Sequence, residues 1–418
     1  MMAAGTRVCL VSFGSAGDLH PMLALGQGLR ARGHAVTVLS NPAFADATAA
    51  AGLDFASVGE KQHQQDTVNH PKLWHPIDGF GVMWRYLLRP ALVPTYEKLA
   101  EFSAAGPCVV IASPVAMGAR VAQEKLGLPL ITAYTAATML RSICDPMTLA
   151  QWRVPCWMPP AWRRTAWALL DRHKLEPLVR PDLDALRGKL GLAPLQASVF
   201  GTWMHSPQAG VTLFPRWFAP AASDWPPQVR QAGFPLYDES PSSELPEGVA
   251  EFLEAGPAPV VFMPGTARAV AADFFQAALG ACEHTGQRGL LLGAVPQDLR
   301  LPPTVHAAGY LPFGQLLPRA RALVHHGGIG SCAQALRAGI PQLVVPHAYD
   351  QFDNAMRLEH LGVGLGLPRG PRALQTMGSR LNKLLDNPRV ASACARWSAQ
   401  TSPQAAQDTV AALVERLK

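Results

Sequence analysis

Residues 322–336 read Ala322-Leu-Val-His-His-Gly-Gly-Ile-Gly-Ser331-Cys-Ala-Gln-Ala-Leu336. An apolar run of strand length ends in a glycine turn and then opens a helix. The first turn of a helix carries N–H groups with no intrahelical partner and the positive end of the helix dipole, a seat suited to a diphosphate. Gly327, Gly328, Gly330 and Ser331 supply that backbone, and His326 beside the turn can donate to the same anion. Adjacent residues of a strand point to opposite faces, so His325 and His326 cannot do the same job. The diphosphate is assigned to His326 and packing to His325. After the strand Gln342–Pro346, Asp350 and Gln351 open the next helix, with Asn354 one turn on and on the same face as Asp350. Strand ends of neighbouring α/β units share one rim of a parallel sheet. An Asp opening a helix is often only a cap. A hydroxyl-reading Asp/Gln pair beside a phosphate seat instead suggests a nucleotide-sugar site.

Strands and helices alternate on both sides of this stretch. In the first half, strands are expected at Arg7–Phe13, Ala35–Ser40, Asp54–Val58, Cys108–Ala112 and Leu130–Tyr134, with helices at His20–Arg32 and Ala116–Gly127. Two aromatic, proline-containing insertions, Lys61–Glu101 and Arg141–Leu195, interrupt the series. Turn formers and polar residues from Gly233 onward read as a linker over 233–249. The second half adds strands at Pro259–Met263, Gly289–Leu292, Ala322–His325 and Gln342–Pro346, with helices at Phe274–His284 and about 330–338, 350–361, 372–386 and 404–417. The expected fold class is α/β: two doubly wound Rossmann-like domains, 1–232 for the acceptor and 250–418 for the nucleotide-sugar, facing across a cleft, with the last helix able to pack back on the first.

Composition narrows the function. The chain has 418 residues, with 36 Lys and Arg against 30 Asp and Glu, a net charge of +6. No dense basic block appears, so nucleic acid is not an expected partner. The seven cysteines lack C-x-x-C spacing, which fits reduced thiols in a cytoplasmic protein rather than a disulfide or zinc framework. The apolar run Val8–Phe13, broken at Gly14, is too short for a secretion signal, and no run reaches the roughly 18 residues of a membrane span. Trp152 to Arg172 mixes tryptophan with arginine, a composition also suited to peripheral contact with the inner membrane.

Phe13-Gly14-Ser15-Ala16-Gly17-Asp18-Leu19-His20-Pro21 follows the first strand. Gly14 and Ser15 allow a ligand close approach, and Asp18 stands at the rim. A carboxylate there can take the proton of an attacking hydroxyl, worth about 10²–10⁴ in rate. Capping the helix is its alternative role, and His20 is a second candidate base. Thr266, after the strand Pro259–Met263, can hold a phosphate oxygen. Tyr310 and Phe313 form an aromatic pair that can stack on a nucleobase.

Together these motifs resemble the GT-B inverting glycosyltransferases of small acceptors, whose signature pairs a histidine-glycine phosphate motif with Pro, three residues and Asp-Gln. Here these are His326-Gly327-Gly328 and Pro346-His-Ala-Tyr-Asp350-Gln351. The resemblance implies that His326 and Thr266 hold the donor diphosphate, that Asp350 and Gln351 hold the sugar, and that Tyr310 stacks on the base. It implies Asp18 as catalytic base and no metal or cofactor, the nucleotide-sugar being a substrate. A narrower resemblance, to the rhamnosyltransferase subunits of bacterial rhamnolipid synthesis, covers nearly the whole chain. It is carried by His70-Pro-Lys-Leu-Trp-His-Pro76, Phe80-Gly-Val-Met-Trp84, Thr202-Trp-Met-His-Ser-Pro-Gln208, Leu213-Phe-Pro-Arg-Trp-Phe-Ala-Pro220, Asp224-Trp-Pro226 and Asp350-Gln-Phe-Asp-Asn-Ala355. It implies dTDP-L-rhamnose as donor and a 3-(3-hydroxyalkanoyloxy)alkanoate as acceptor. That subfamily has a proline where His326 neighbours His325, so an offset of one would move the phosphate role to His325. A UDP-sugar donor, a polyketide, flavonoid or sterol acceptor, and a non-catalytic sugar-nucleotide-binding subunit remain the alternatives.

Overall fold

The computed structural model describes residues 5–75, 78–149, 152–153, 155, 157–238, 245–265, 271–368 and 372–418. The strands in chain order are β1 Arg7–Val11, β2 Ala35–Ser40, β3 Asp54–Ser57, β4 Cys108–Ala112, β5 Leu130–Tyr134, β6 Thr148–Leu149, β7 Trp152–Arg153, β8 Ala209–Thr212 and β9 Val229–Gln231. They continue with β10 Val260–Met263, β11 Gly289–Leu292, β12 Val305–Ala308, β13 Ala322–His325, β14 Gln342–Val344 and β15 Gly364–Gly366.

The chain divides into two compact units, the first Met1–Met147, Arg153–Tyr237 and Pro403–Lys418, the second Thr148–Trp152 and Asp238–Ser402. Each is a doubly wound α/β unit. The sheet of the first runs β3-β2-β1-β4-β5-β8-β9 and that of the second β12-β11-β10-β13-β14-β15, with parallel neighbours throughout.

In the first unit both faces of the central strands are covered, which is why β1, β4 and β5 read as near-continuous apolar runs, unlike β3 and β9 at the edges. Along β1, Cys9 and Val11 join one core with Trp84, Leu92 and Leu99, while Val8 and Leu10 join the other. The second core includes Val410, Leu413 and Val414 of the helix Pro403–Leu417, which packs against the helix Ala16–Ala31. In the second unit Val261, Leu290, Leu292 and Leu323 pack with Leu316 and Leu317. The segment Thr148–Trp152 groups with that unit: the Thr148 N–H donates to Asp353 at 3.1 Å.

Most elements stand where the periodicity places them. The helix expected from His20 starts four residues earlier, at Ala16, because Ser15 and Asp18 form a capping box around its first turn. Pro21 sits inside that helix, past its first turn, where it leaves the Gly17 carbonyl without an i→i−4 donor. A helix, Glu247–Glu254, begins within the stretch read as linker and buries Val249. The insertions are helical. Trp84 is a core residue at 2% exposure, whereas Trp157 and Trp162 stand 81% and 70% exposed.

Candidate functional site

In the first unit a carboxylate stands beyond the end of β1. Gly14 has φ +140°, and a Cβ there would lie 2.2 Å from Asp18 Oδ2, so only glycine leaves the carboxylate its place. The Ser15 N–H donates to Asp18 Oδ2 at 2.8 Å, and the Ser15 hydroxyl donates to the same atom at 3.2 Å. The Ser15 oxygen in turn accepts from the Gly17 N–H. Asp18 therefore has both expected roles open to it: it closes the capping box as the third helical residue, and it remains half-buried with its second carboxylate oxygen outside those bonds. Burial raises its pKa above the ordinary aspartate value, against the opposing hydrogen bonds from Ser15. His20, the alternative base, packs its ring against Tyr237 with centroids 5.1 Å apart.

Sequence reasoning missed Gln64. From the helix Lys61–Asn69 its Nε2 donates to the Gly14 carbonyl at 2.9 Å. The Gly14–Ser15 peptide thus accepts from Gln64 on its carbonyl and donates to Asp18 through its N–H, so each bond polarises the other. Gln64 Oε1 is buried with no hydrogen-bond partner, as is the hydroxyl of Ser113, which follows β4 beside β1. Nothing in a polar helix marks one glutamine among its neighbours, so no sequence signal was available.

In the second unit a glycine turn follows β13. His325 is wholly buried; its Nδ1 accepts the Gly327 N–H at 3.2 Å and its Nε2 lies 3.1 Å from Gln342 Oε1. Both nitrogens are engaged, which makes it a packing residue. His326 is different. Its ring lies between Gly265 and Gly328, where added Cβ atoms would stand 2.6 Å from Nδ1 and 2.5 Å from Nε2. Its Nδ1 is buried without a partner. Burial first, then the neighbouring His347, lowers its pKa to about 4, so at neutral pH it is an uncharged imidazole with one N–H to donate.

The helix Ile329–Ala338 starts on Gly328 without a side-chain cap, leaving its first N–H groups to a ligand or water. A Cβ on Gly330 would meet nothing within 4 Å, and Ser331 is half-buried in the same turn. Gly327, at φ +91°, would press a Cβ to 2.6 Å from Val344.

Asp350 caps the helix Gln351–His360 in position, and Asn354 donates to its Oδ2 at 2.8 Å and to the Gly327 carbonyl at 2.9 Å. The glycine turn and the acid are therefore tied by one amide. Asn354 is only 1% exposed, so its geometry is that of a positioning residue rather than the substrate contact expected. Gln351 is also buried; its Oε1 accepts the His347 and Ala348 N–H groups at 2.7 and 3.1 Å, holding the loop in which Tyr349 adopts φ +53°. Tyr310 is 55% exposed beside the buried Phe313, their rings 6.4 Å apart and tilted by 26°. Thr266 lies outside the described residues. Among the described residues no group of three or more His, Cys, Asp or Glu could hold a metal ion, and no helix is long and apolar enough to cross a membrane.

The segments that carry the narrower resemblance are partly framework. Ser206 donates to the Leu130 carbonyl and accepts from Gln123, and Gln208 accepts the Leu130 N–H, fastening the chain before β8 to β5. Asp224 accepts from the Ser142 hydroxyl and the Ile143 N–H.

Residues 8–144 match the glycosyltransferase family 28 N-terminal domain, and residues 291–417 the erythromycin biosynthesis protein CIII-like C-terminal domain. The chain is 28% identical to O-mycaminosyltylonolide 6-deoxyallosyltransferase of Streptomyces fradiae, over 85% of this chain and 84% of that one. It is 30% identical to glycosyltransferase GtfE of Amycolatopsis orientalis, over 86% and 85%. The solved spinosyn rhamnosyltransferase SpnG, complexed with thymidine diphosphate, superposes with a TM-score of 0.66 at 21% identity, covering 99% of this chain and 100% of that one. With two Rossmann-like units, both domain matches and this degree of identity to GtfE, the chain belongs to the GT-B glycosyltransferases that join a family 28 N-terminal domain to an EryCIII-like C-terminal domain.

Proposed function

We propose that this glycosyltransferase moves L-rhamnose from dTDP-L-rhamnose to the hydroxyl of a 3-(3-hydroxyalkanoyloxy)alkanoate, giving mono-rhamnolipid with inversion at the anomeric carbon. The observation that carries the donor half is His326: an uncharged imidazole with an unpartnered buried nitrogen, beside a helix start with no side-chain cap. The diphosphate sits on His326 and the amides of Gly328 to Ser331. Asp350, held by Asn354, takes the sugar hydroxyls, with Gln351 fixing its loop. Tyr310 stacks on the base, worth about 1–3 kcal/mol. Thr266 belongs to the same set by resemblance.

Asp18 accepts the proton of the acceptor hydroxyl as that oxygen attacks the anomeric carbon. The carbon–oxygen bond to the diphosphate breaks on the opposite face. Charge growing on the leaving oxygens meets donors already in place, each worth about 2.7–4 kcal/mol in comparable sites. The Ser15 bonds keep Asp18 oriented, and its raised pKa makes it a stronger base than a solvated aspartate. The donor nucleotide and sugar rest on the whole-chain resemblance, and the thymidine diphosphate bound by SpnG is consistent with them.

A second reading has its own support. The Streptomyces fradiae relative is named for transfer to O-mycaminosyltylonolide, which favours a natural-product aglycone as acceptor. One assay separates the two. The enzyme is incubated with dTDP-L-rhamnose, UDP-glucose or UDP-rhamnose, each with a hydroxyacyl-hydroxy acid or a polyketide, flavonoid or sterol aglycone, and products are identified by mass. Rhamnosylation of the hydroxyacyl acid alone is the expected result. Transfer only to the aglycones removes the lipid reading, and nucleotide binding without any transfer removes both.

A further inference from the structure

The second aromatic insertion folds into a groove of about 790 Å³ in the first unit. Its walls come from the helix Pro160–Leu170, the π-helical turn Asp171–Leu175, the helix Glu176–Lys189 and the π-helical turn Val199–Trp203. The size is that of a small-molecule site, about 300–1,000 Å³. Turns of π geometry interrupt the regular helix ladder and recur at ligand sites, and two of them border this groove.

Trp167, Ala168, Pro177 and Pro181 give it apolar walls. The carboxylates that line it are engaged. Glu176 pairs with Arg180 and accepts the Val199 N–H at 2.7 Å. Asp171 pairs with Arg141, which also lies over the Trp167 ring, and accepts from the Ser198 hydroxyl. Asp184 accepts the Leu195 N–H at 2.9 Å. Arg164 and Arg172 are left over: both line the groove, both are exposed, and neither has an ion-pair partner among the described residues. Of the lining carboxylates only Asp184 lacks an ion pair among the described residues, so a cation would meet two arginines against one acid, and an anion has the net charge in its favour.

We infer that this groove binds an amphipathic carboxylate, its alkyl chain against Trp167, Ala168 and the two prolines and its carboxylate between Arg164 and Arg172. The inference rests on the acceptor reading above for the ligand's identity, since a 3-(3-hydroxyalkanoyloxy)alkanoate carries one acidic end and long alkyl chains. Binding itself involves neither donor nor transfer, so it can be measured alone. The competing occupant is a bilayer surface, which the exposed Trp157 and Trp162 would also suit.

The test is calorimetric titration of the full chain, without nucleotide, with octanoate, decanoate and dodecanoate below their micelle concentrations. Decyltrimethylammonium and phosphatidylglycerol vesicles are the comparison ligands. The expected result is saturable one-to-one binding of the carboxylates, tightening about fourfold per added methylene until the groove is full. The ammonium should not bind. Arg164→Glu with Arg172→Glu, both at exposed positions, should weaken decanoate at least about tenfold with an unchanged circular dichroism spectrum. Trp167→Ala should flatten the chain-length dependence. Equal binding of the ammonium, indifference to the arginine changes, or binding to vesicles only would overturn the inference. Decanoate bound in the groove with no transfer to hydroxyacyl acids would uphold the groove and remove the acceptor reading; transfer without decanoate binding would do the reverse.

Discussion

At Asp18 two effects oppose each other: hydrogen bonds from Ser15 favour the anion, while burial favours the neutral acid and prevails. A carboxyl whose folded pKa is raised makes the native state take up more protons than the unfolded chain. Stability therefore falls as pH rises from the ordinary aspartate range through the folded value, and at pH 7 the charge opposes folding. Asp18→Asn, which can still accept from the Ser15 N–H, is expected to cut turnover by about 10²–10⁴ while leaving the melting temperature level or higher. The acid limb of kcat/KM should lie above the usual aspartate value of about 3.9 and be absent from the residual activity of the variant. Steady-state kinetics and thermal denaturation check both; a lowered melting temperature with full activity would make Asp18 a cap alone. In the second unit, Gly265→Ala and Gly328→Ala each drive a methyl group into the His326 ring. Each is expected to weaken dTDP binding about tenfold, roughly 1.4 kcal/mol, by titration calorimetry. Gly328 and Asp18 stand out in the sequence because a turn between a strand and a helix leaves a dense local signature, whereas the part Gly265 plays against the His326 ring appears only in the fold. Gln64 reaches the Asp18 turn from fifty positions away, and only the fold brings it there.

Among the elements, the loop between β14 and the helix Gln351–His360 stores the clearest backbone strain. Tyr349, a bulky side chain at φ +53°, stays in the left-handed region because Gln351 fastens the two preceding amides. Gln351→Leu leaves those amides without their partner. It should cost about 1–3 kcal/mol in denaturant unfolding and raise KM for the donor, since Asp350 lies between Tyr349 and the altered side chain. Apolar runs flanked by turns were readable even at three or four residues, as in β11, β13 and β14, but β8, β9, β12 and β15 were not. Val305–Ala308 and Gly364–Gly366 carry one buried residue each and no apolar run, and they are strands because each has a parallel neighbour to pair with. The helix Ala16–Ala31 began earlier than expected because a capping box, rather than apolar periodicity, sets its start.

Over the molecule as a whole, the chain's last helix belongs to its first unit. Val410, Leu413 and Val414 are buried there, at about 1.5–3 kcal/mol each. That sum rivals the whole stability of a typical domain. Truncation before Pro403 is thus expected to abolish cooperative unfolding of the first unit, visible by calorimetry. Acid should act on both units. His325 and His326 titrate at about 3 and about 4 in the fold, and His205, bonded to the Tyr134 hydroxyl, at about 4. All lie below the unfolded value of about 6.5, so the unfolded chain binds more protons. Stability present above pH 6.5 should be lost as pH falls toward 4, and His326→Asn should flatten part of that loss.

The most direct measurement is a dTDP titration of the wild type, His326→Ala and Asp18→Asn side by side. Loss of about one to two orders of magnitude in affinity for His326→Ala, with wild-type affinity for Asp18→Asn, is the expected result. Unchanged affinity in His326→Ala would contradict the placement of the donor diphosphate on that turn.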